Sequence, residues 1–201
     1  AAGTYTGTGS EVVLLNKSVT LSGGWNAGFT TQSGMSTVDA QNARRGVSVS
    51  ATASIERFVI KNGNAKSINL NGLGGGVYIL ADVSITFTNS SIQNNLAQVG
   101  GGIYKTSGSL SLTLNNSTIS NNTAFNGGGI EYDGGSLVLN NSTINNNSAG
   151  STGGGIYIYS TSLTLNNSTI SANSAGYLGG GIYIHTANLT SNNGTISNNS
   201  A

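Results

Sequence analysis

Glu131 and Asp133 stand two positions apart in the segment GGGIEYDGG. In an extended chain that spacing puts both carboxylates on one face. Paired carboxylates can act as acid and base, or as acid and nucleophile, on a glycosidic bond. The one histidine, His185, is the only basic side chain that follows them, and stacking of successive repeats would set it roughly 10 Å from Asp133. A second cluster could gather upstream, from Asp39 with Arg44, Arg45 and Arg57. The plainer assignments are solvated surface charges for Glu131 and Asp133, and a structural ion pair beneath a loop for Asp39. A different chemistry is offered by Tyr78, Tyr104, Tyr157 and Tyr183, which recur at one place in a repeated unit, with Glu131 where a fifth would stand and Tyr159 and His185 beside them. Exposed aromatics in a row suit stacking on sugars or contact with a protein. They can equally pack on one another along a sheet face. Thr86, Thr113, Thr164 and Thr190, interrupted by Val138, form a third series, with Thr118, Thr143, Thr169 and Thr195 on the next face. A flat threonine array can bind ice, although threonine is also simply a favourable outward strand residue.

These residues are set out by a repeat. Gly-Gly-Gly triplets begin at Gly74, Gly100, Gly127, Gly153 and Gly179, at intervals of 26, 27, 26 and 26 residues. A fixed period of this length means a stack whose units bury their apolar side only against neighbours. Each unit holds three short alternating runs, such as Ile156–Ile158, Leu163–Leu165 and Thr169-Ile170. Alternation of apolar and polar residues is strand periodicity. The glycine triplets and Asn-Asn pairs between runs are turn residues that tolerate positive φ. Three strands per unit of about 26 residues describe a coil of a parallel β-helix. A transmembrane barrel would need strands of about 9–11 residues, and these runs are three to five.

Stacking places equivalent residues in columns. Ile92, Ile119, Ile144, Ile170 and Ile196 form one apolar column, and Leu112, Leu137, Leu163 and Leu189 another. Ala97, Ala124, Ala149, Ala175 and Ala201 mark a tight corner. Asn95, Asn122, Asn147, Asn173 and Asn199 form a structural column whose amides can hydrogen-bond along the stack. Residues 74–201 are therefore five regular coils. Residues 1–73 are read as less regular coils of the same domain, with strands at Val12–Leu15, Val19–Leu21, Gly46–Ser50 and Phe58–Ile60 and a protruding loop near residues 26–36. The expected fold is all-β, a single solenoid of about eight coils, roughly 38 Å long.

Composition excludes several functions. Seven Lys/Arg and six Asp/Glu give a net charge of +1, too sparse for a nucleic-acid binder, which needs clustered cations. No run of 18 apolar residues could cross a membrane as a helix. Proline is absent, in keeping with a backbone committed to ladders. Cysteine is absent too, so there are no disulfides, and no cofactor is implied. Sequons abound, including Asn16, Asn116, Asn141, Asn167 and Asn193; the repeat itself generates most of them, so those asparagines can be turn formers rather than glycan carriers.

The elements GGGIY and SLTLNNSTISxNxA, with the opening Ala2-Gly3-Thr4-Tyr5 and Val19-Thr20-Leu21-Ser22-Gly23-Gly24-Trp25, resemble the right-handed parallel β-helix repeats of secreted bacterial surface proteins. Those are pectin-lyase-like in fold, and the Gly-Gly-x-Ile and Ser-x-Ile-x-x-Asn elements are similar to those of polymorphic outer-membrane proteins. The resemblance implies a right-handed helix and an extracellular, cell-surface location. It does not imply one activity, because the fold carries lyases, hydrolases and adhesins alike. No capping segment is evident at either end: the sequence runs from Ala1, Thr4 and Tyr5, in mid-coil style, to the Asn199 and Ala201 columns. Six cations against three acids in residues 1–66 leave +3 there and −2 in the remainder. The leading expectation is thus a non-enzymatic structural subunit stacking head to tail with copies of itself into a filament. The alternative is an adhesin or glycan-binding module that uses the tyrosines against glycans or a host surface. A polysaccharide lyase or hydrolase ranks third, and ice binding fourth.

Overall fold

A computed structural model describes residues 1–66, 71–80 and 82–201. Every element in it is a β-strand. One sheet has eight strands: Thr4–Tyr5, Ser36–Asp39, Phe58–Lys61, Ser91–Gln93, Thr118–Ser120, Thr143–Asn145, Thr169–Ser171 and Thr195–Ser197. A second, of seven strands, runs Glu11–Leu15, Arg45–Val49, Val77–Ile79, Ile103–Lys105, Ile130–Tyr132, Ile156–Ile158 and Ile182–Ile184. A third, also of seven, stacks Val19–Ser22, Ala53–Glu56, Ile85–Thr88, Ser111–Asn115, Gly135–Asn140, Thr161–Asn166 and Leu189–Asn192. A short fourth sheet, Thr123–Ala124, Ser148–Ala149 and Ser174–Ala175, follows the alanine corner. Paired strands within the sheets are parallel and come from successive coils, so the chain is a parallel β-helix. Among the described residues no helix is long and apolar enough to cross a membrane.

Register follows the repeat. Ile92 pairs with Ile119, Ile119 with Ile144, Ile144 with Ile170 and Ile170 with Ile196. Leu112, Leu137, Leu163 and Leu189 pair in the same way. Their side chains fill the tube, and all but Ile196 and Leu189 are buried. A one-residue slip would turn each of these residues to solvent, which is why the columns hold the register. The irregular early coils continue the same three sheets rather than forming a separate unit.

The glycine triplets set how closely coils approach. Gly100 has φ +62°, a left-handed turn. At Gly101 a Cβ would lie 2.5 Å from the Gly128 carbonyl oxygen and 2.6 Å from that of Thr123, so only glycine fits. The asparagines at the opposite corners take positive φ as well: Asn89, Asn116, Asn141 and Asn167 each at 48° and Asn193 at 55°. The sequon asparagines Asn116, Asn141, Asn167 and Asn193 are thus turn formers in the structure.

The loop differs slightly from expectation. Trp25 and Gln32 form an antiparallel bridge, Asn26 caps Thr30 and Thr31 with its side chain, and Phe29 projects into solvent. Ser36 belongs to a strand and is buried, because its hydroxyl accepts from the Gly24 amide and donates to the Ala1 carbonyl. The protrusion therefore spans residues 26–35.

Candidate functional site

On the second sheet, Ile103, Lys105, Ile130 and Tyr132 point into the tube and Tyr104 and Glu131 point out. Register aligns Ser48, Tyr78, Tyr104, Glu131, Tyr157 and Tyr183 in one outward column. The tyrosines are not independent side chains. Tyr78 stacks on Tyr104 with ring centroids 5.9 Å apart and planes 13° from parallel, and Tyr157 stacks on Tyr183 at 5.1 Å and 19°. The Arg45 guanidinium covers the other end of the first pair, 4.7 Å from the centre of the Tyr78 ring. Each ring thus gives one face to its stacked partner.

Glu131 breaks this stack into two pairs. Tyr104, Glu131, Tyr132, Asp133, Tyr157 and Tyr159 line a cleft of about 230 Å³ at the break. Both carboxylates of the sequence pair reach it. The Glu131 Oε2 is out of contact with solvent and receives no hydrogen bond. Burial first, and the Asp133 charge second, push the Glu131 carboxyl up to about 7. Burial, and then the Glu131 charge, raise the hydroxyl pKa values of Tyr104 and Tyr157.

Behind the cleft lies an element that reading the motifs did not single out. Lys105, the one cation of the regular coils, is 0% exposed. Its Nζ donates to the Thr106 carbonyl at 3.2 Å and sits 5.1 Å from the centre of the Tyr132 ring. Burial lowers its pKa, against the opposing charges of Asp82 and Asp133. The Tyr132 hydroxyl lies 3.0 Å from the carbonyl oxygens of Leu110 and Ser136, either of which accepts its hydrogen bond. The signal was present in the alternation: Lys105 and Tyr132 occupy the inward column of Ile79, Ile158 and Ile184.

The other candidates are placed as follows. His185 stacks on Tyr159 at 4.6 Å, so a tyrosine ring stands between the histidine and the carboxylates. The proposed cluster of Asp39 with Arg44, Arg45 and Arg57 does not form. Register sets Asp39 opposite Lys61, and these two make the ion pair, at 3.5 Å. Asp39 also accepts from the Gln41 amide and the Asn62 side chain. Burial opposes its charge, yet these donors hold its pKa below the usual value. Arg45 turns instead to the Leu73 and Gly74 carbonyls and to Tyr78. Thr86, Thr113, Val138, Thr164 and Thr190 form one column on the third sheet.

The asparagine column is a continuous ladder. The Oδ1 of Asn122 accepts from the backbone N–H and Nδ2 of Asn95 (3.0 and 2.9 Å), and the pattern repeats through Asn147 and Asn173 to Asn199. Each Nδ2 also donates to a carbonyl of the preceding coil, at Ile60, Ile92, Ile119, Ile144 and Ile170. A second buried ladder, from Ser90 through Ser117 and Ser142 to Ser168, was not foreseen; in it each hydroxyl accepts the amide N–H of the preceding serine at 3.1 Å. At the ends, Thr4–Tyr5 pairs, among the described residues, only with Ser36–Asp39, Ala1 contacts the Tyr5 hydroxyl, Asn199 closes the ladder, and Ala201 is exposed.

Among the described residues no group of three His, Cys, Asp or Glu is arranged to hold a metal. Comparison with curated proteins and with solved structures gives no match. The sequence profile of the family described as "Right handed beta helix region" matches residues 17–201. With its parallel coils in register over that same span, the chain belongs to the right-handed β-helix family.

Proposed function

We propose that this chain is a non-enzymatic, cell-surface binding module, an adhesin-type β-helix whose contact face is the tyrosine strip centred on Glu131. The observation that supports this reading is the cleft where the strip is broken. Each ring of the column has one face covered by its stacked partner, so a glycan cannot stack along its whole length. At the break one face of Tyr104 and one of Tyr157 are turned towards the Glu131 coil. Aromatic faces with a few convergent polar groups in a cleft are the usual makings of a recognition site. Replacing Tyr104 and Tyr157 together by serine tests the reading, with binding to immobilised glycans and to cells as the assay. Adhesion falls at least tenfold, about 1.4 kcal/mol, while thermal unfolding shows the coils intact. Unchanged adhesion by a folded double variant overturns the proposal.

A second reading has its own observation. Leu189 and Ile196 on the last coil are 39% and 48% exposed, and the first coils open on a mouth of about 400 Å³ lined by Tyr5, Val12, Val13, Leu21, Val38 and Phe58. These are surfaces on which a further coil would seat, whether from more of the same chain or from another copy. If copies stack head to tail, light scattering shows mass growing with concentration. A monomer at high concentration removes self-assembly.

A further inference from the structure

We propose that the break at Glu131 is a receptor site for one arginine side chain of a partner protein, its guanidinium lying flat between the rings of Tyr104 and Tyr157 against the Glu131 and Asp133 carboxylates. The inference rests on reading this face as a binding surface and adds what it binds.

Three features of the cleft select that group. Its walls are the rings of Tyr104 and Tyr157, two coils apart and therefore separated by roughly 10 Å, twice the strand spacing. A flat group midway is within about 5 Å of both ring centres, the spacing at which Tyr157 and Tyr183 stack. Its floor is acidic. Glu131 is partly exposed and receives no hydrogen bond at its shielded Oε2, and a guanidinium reaching the carboxylate from the cleft brings five donors in a rigid plane that matches it. The third feature is an internal precedent. One end of the same column already holds a guanidinium on a tyrosine face, that of Arg45 on Tyr78 at 4.7 Å. The nearby cation does not enter the cleft: Lys105 is on the inner side of the sheet, against Tyr132 and the Thr106 carbonyl, and acts on Asp133 only at a distance.

Charge and shape together argue against a neutral sugar, which leaves the carboxylates unpaired, and against a lysine ammonium, which has no plane to place between rings. The groups facing Glu131 are Asp133 on its own coil, Tyr104 and Tyr157 from the adjoining coils, and Lys105 behind the sheet. With the Glu131 carboxyl at about 7, arginine binding takes up the ionised form. Affinity therefore rises about tenfold from pH 6 to pH 8, as the ionised fraction does.

The test is an NMR titration of the full chain with three blocked tripeptides, Gly-Arg-Gly and its citrulline and lysine analogues. The arginine peptide should move the signals of Tyr104, Glu131 and Tyr157, with a dissociation constant on the order of millimolar. Glu131→Gln, which keeps size and removes charge, should weaken binding at least tenfold, and the citrulline peptide should give no response. An arginine peptide without effect at tens of millimolar overturns the proposal, as does an equal response to citrulline or to lysine. The two readings fail separately. Loss of adhesion in the Tyr104→Ser, Tyr157→Ser variant with no arginine response leaves a binding face but no arginine site. Arginine binding at the cleft, with adhesion untouched by that variant, leaves the site and removes the adhesive role.

Discussion

Replacing Asn147 by alanine removes four hydrogen bonds from the middle of the ladder. Its Oδ1 accepts from the backbone N–H and Nδ2 of Asn122, both at 3.0 Å, and its Nδ2 donates to the Ile119 carbonyl and the Asn173 Oδ1, again at 3.0 Å. The site is 1% exposed, so bulk water does not replace them. Two of the partners keep another contact: Asn122 Nδ2 still reaches the Ile92 carbonyl, and Asn173 Oδ1 still accepts from the Asn147 amide. The Asn122 N–H is stranded and the Ile119 carbonyl loses a donor. At about 1–3 kcal/mol for each buried group left unpaired, the variant loses about 3–5 kcal/mol. The control is Asn199→Ala at the outer end of the same ladder. Asn199 makes the equivalent contacts to Asn173 and Ile170, but it is only partly buried and water can replace it, so the loss is about 1 kcal/mol. For a chain of this size the difference amounts to a melting temperature lower by about 10 °C for the inner variant against about 3 °C for the outer. Circular dichroism measures both. Hydrogen exchange adds a local reading suited to a repeat array, because the Asn122 amide should lose protection in Asn147→Ala. Equal losses for the two variants, or an inner loss below about 1 kcal/mol, would refute the claim that buried asparagine pairing, rather than packing alone, holds the coils together.

Two further predictions concern the cleft and the glycine corner. The Glu131 carboxyl is raised to about 7 in the fold from an ordinary 4.5. Its neutral form is therefore the compatible one: stability is full below pH 4.5, falls as pH climbs towards 7, and levels off above, for a total near 3 kcal/mol. Glu131→Gln should match the native chain at pH 4.5 and exceed it by about that amount at pH 8; melting curves with the same pH dependence in both proteins would contradict the assignment. At Gly154 a Cβ would meet the Ser174 carbonyl oxygen at 2.3 Å and that of Gly180 at 2.4 Å, whereas at Gly150 the nearest atom is a Phe125 ring carbon at 3.4 Å. Gly154→Ala should thus cost at least about 3 kcal/mol or prevent folding, and Gly150→Ala less than about 1 kcal/mol, as read from urea unfolding midpoints.

Much of this architecture was legible in residue order. A period of 26 to 27 residues with apolar residues alternating inside each unit leaves one economical packing, and the isoleucine, leucine and asparagine columns follow from it by counting. The tyrosine column was legible for the same reason, as was the break at Glu131. Other features escaped where the period lapses. The partner of Asp39 is Lys61, 22 positions on, not an arginine, because coils in the first part of the chain differ in length and counting cannot supply their register. Lys105 was not singled out in the sequence, although its place two positions after Ile103 on the same strand assigns it inward. The serine ladder hid in the repeated Asn-Ser-Thr-Ile run, where one serine could as well face water as the coil above.

Which residues share a column was determined by the sequence alone, since in a stacked solenoid column membership is set by spacing along the chain. What each column can do was decided by tertiary structure. Four tyrosines in line look like one continuous aromatic surface. Their rings turn across the axis because a stacked partner stands one strand spacing away, and this closes one face of each ring and leaves open, among others, the two beside Glu131. That carboxylate, in turn, is an ordinary acid in the chain and a poorly solvated one in the fold, because its depth depends on the rings above and below it and on Asp133. Ring orientation and desolvation are properties of neighbours brought together in space.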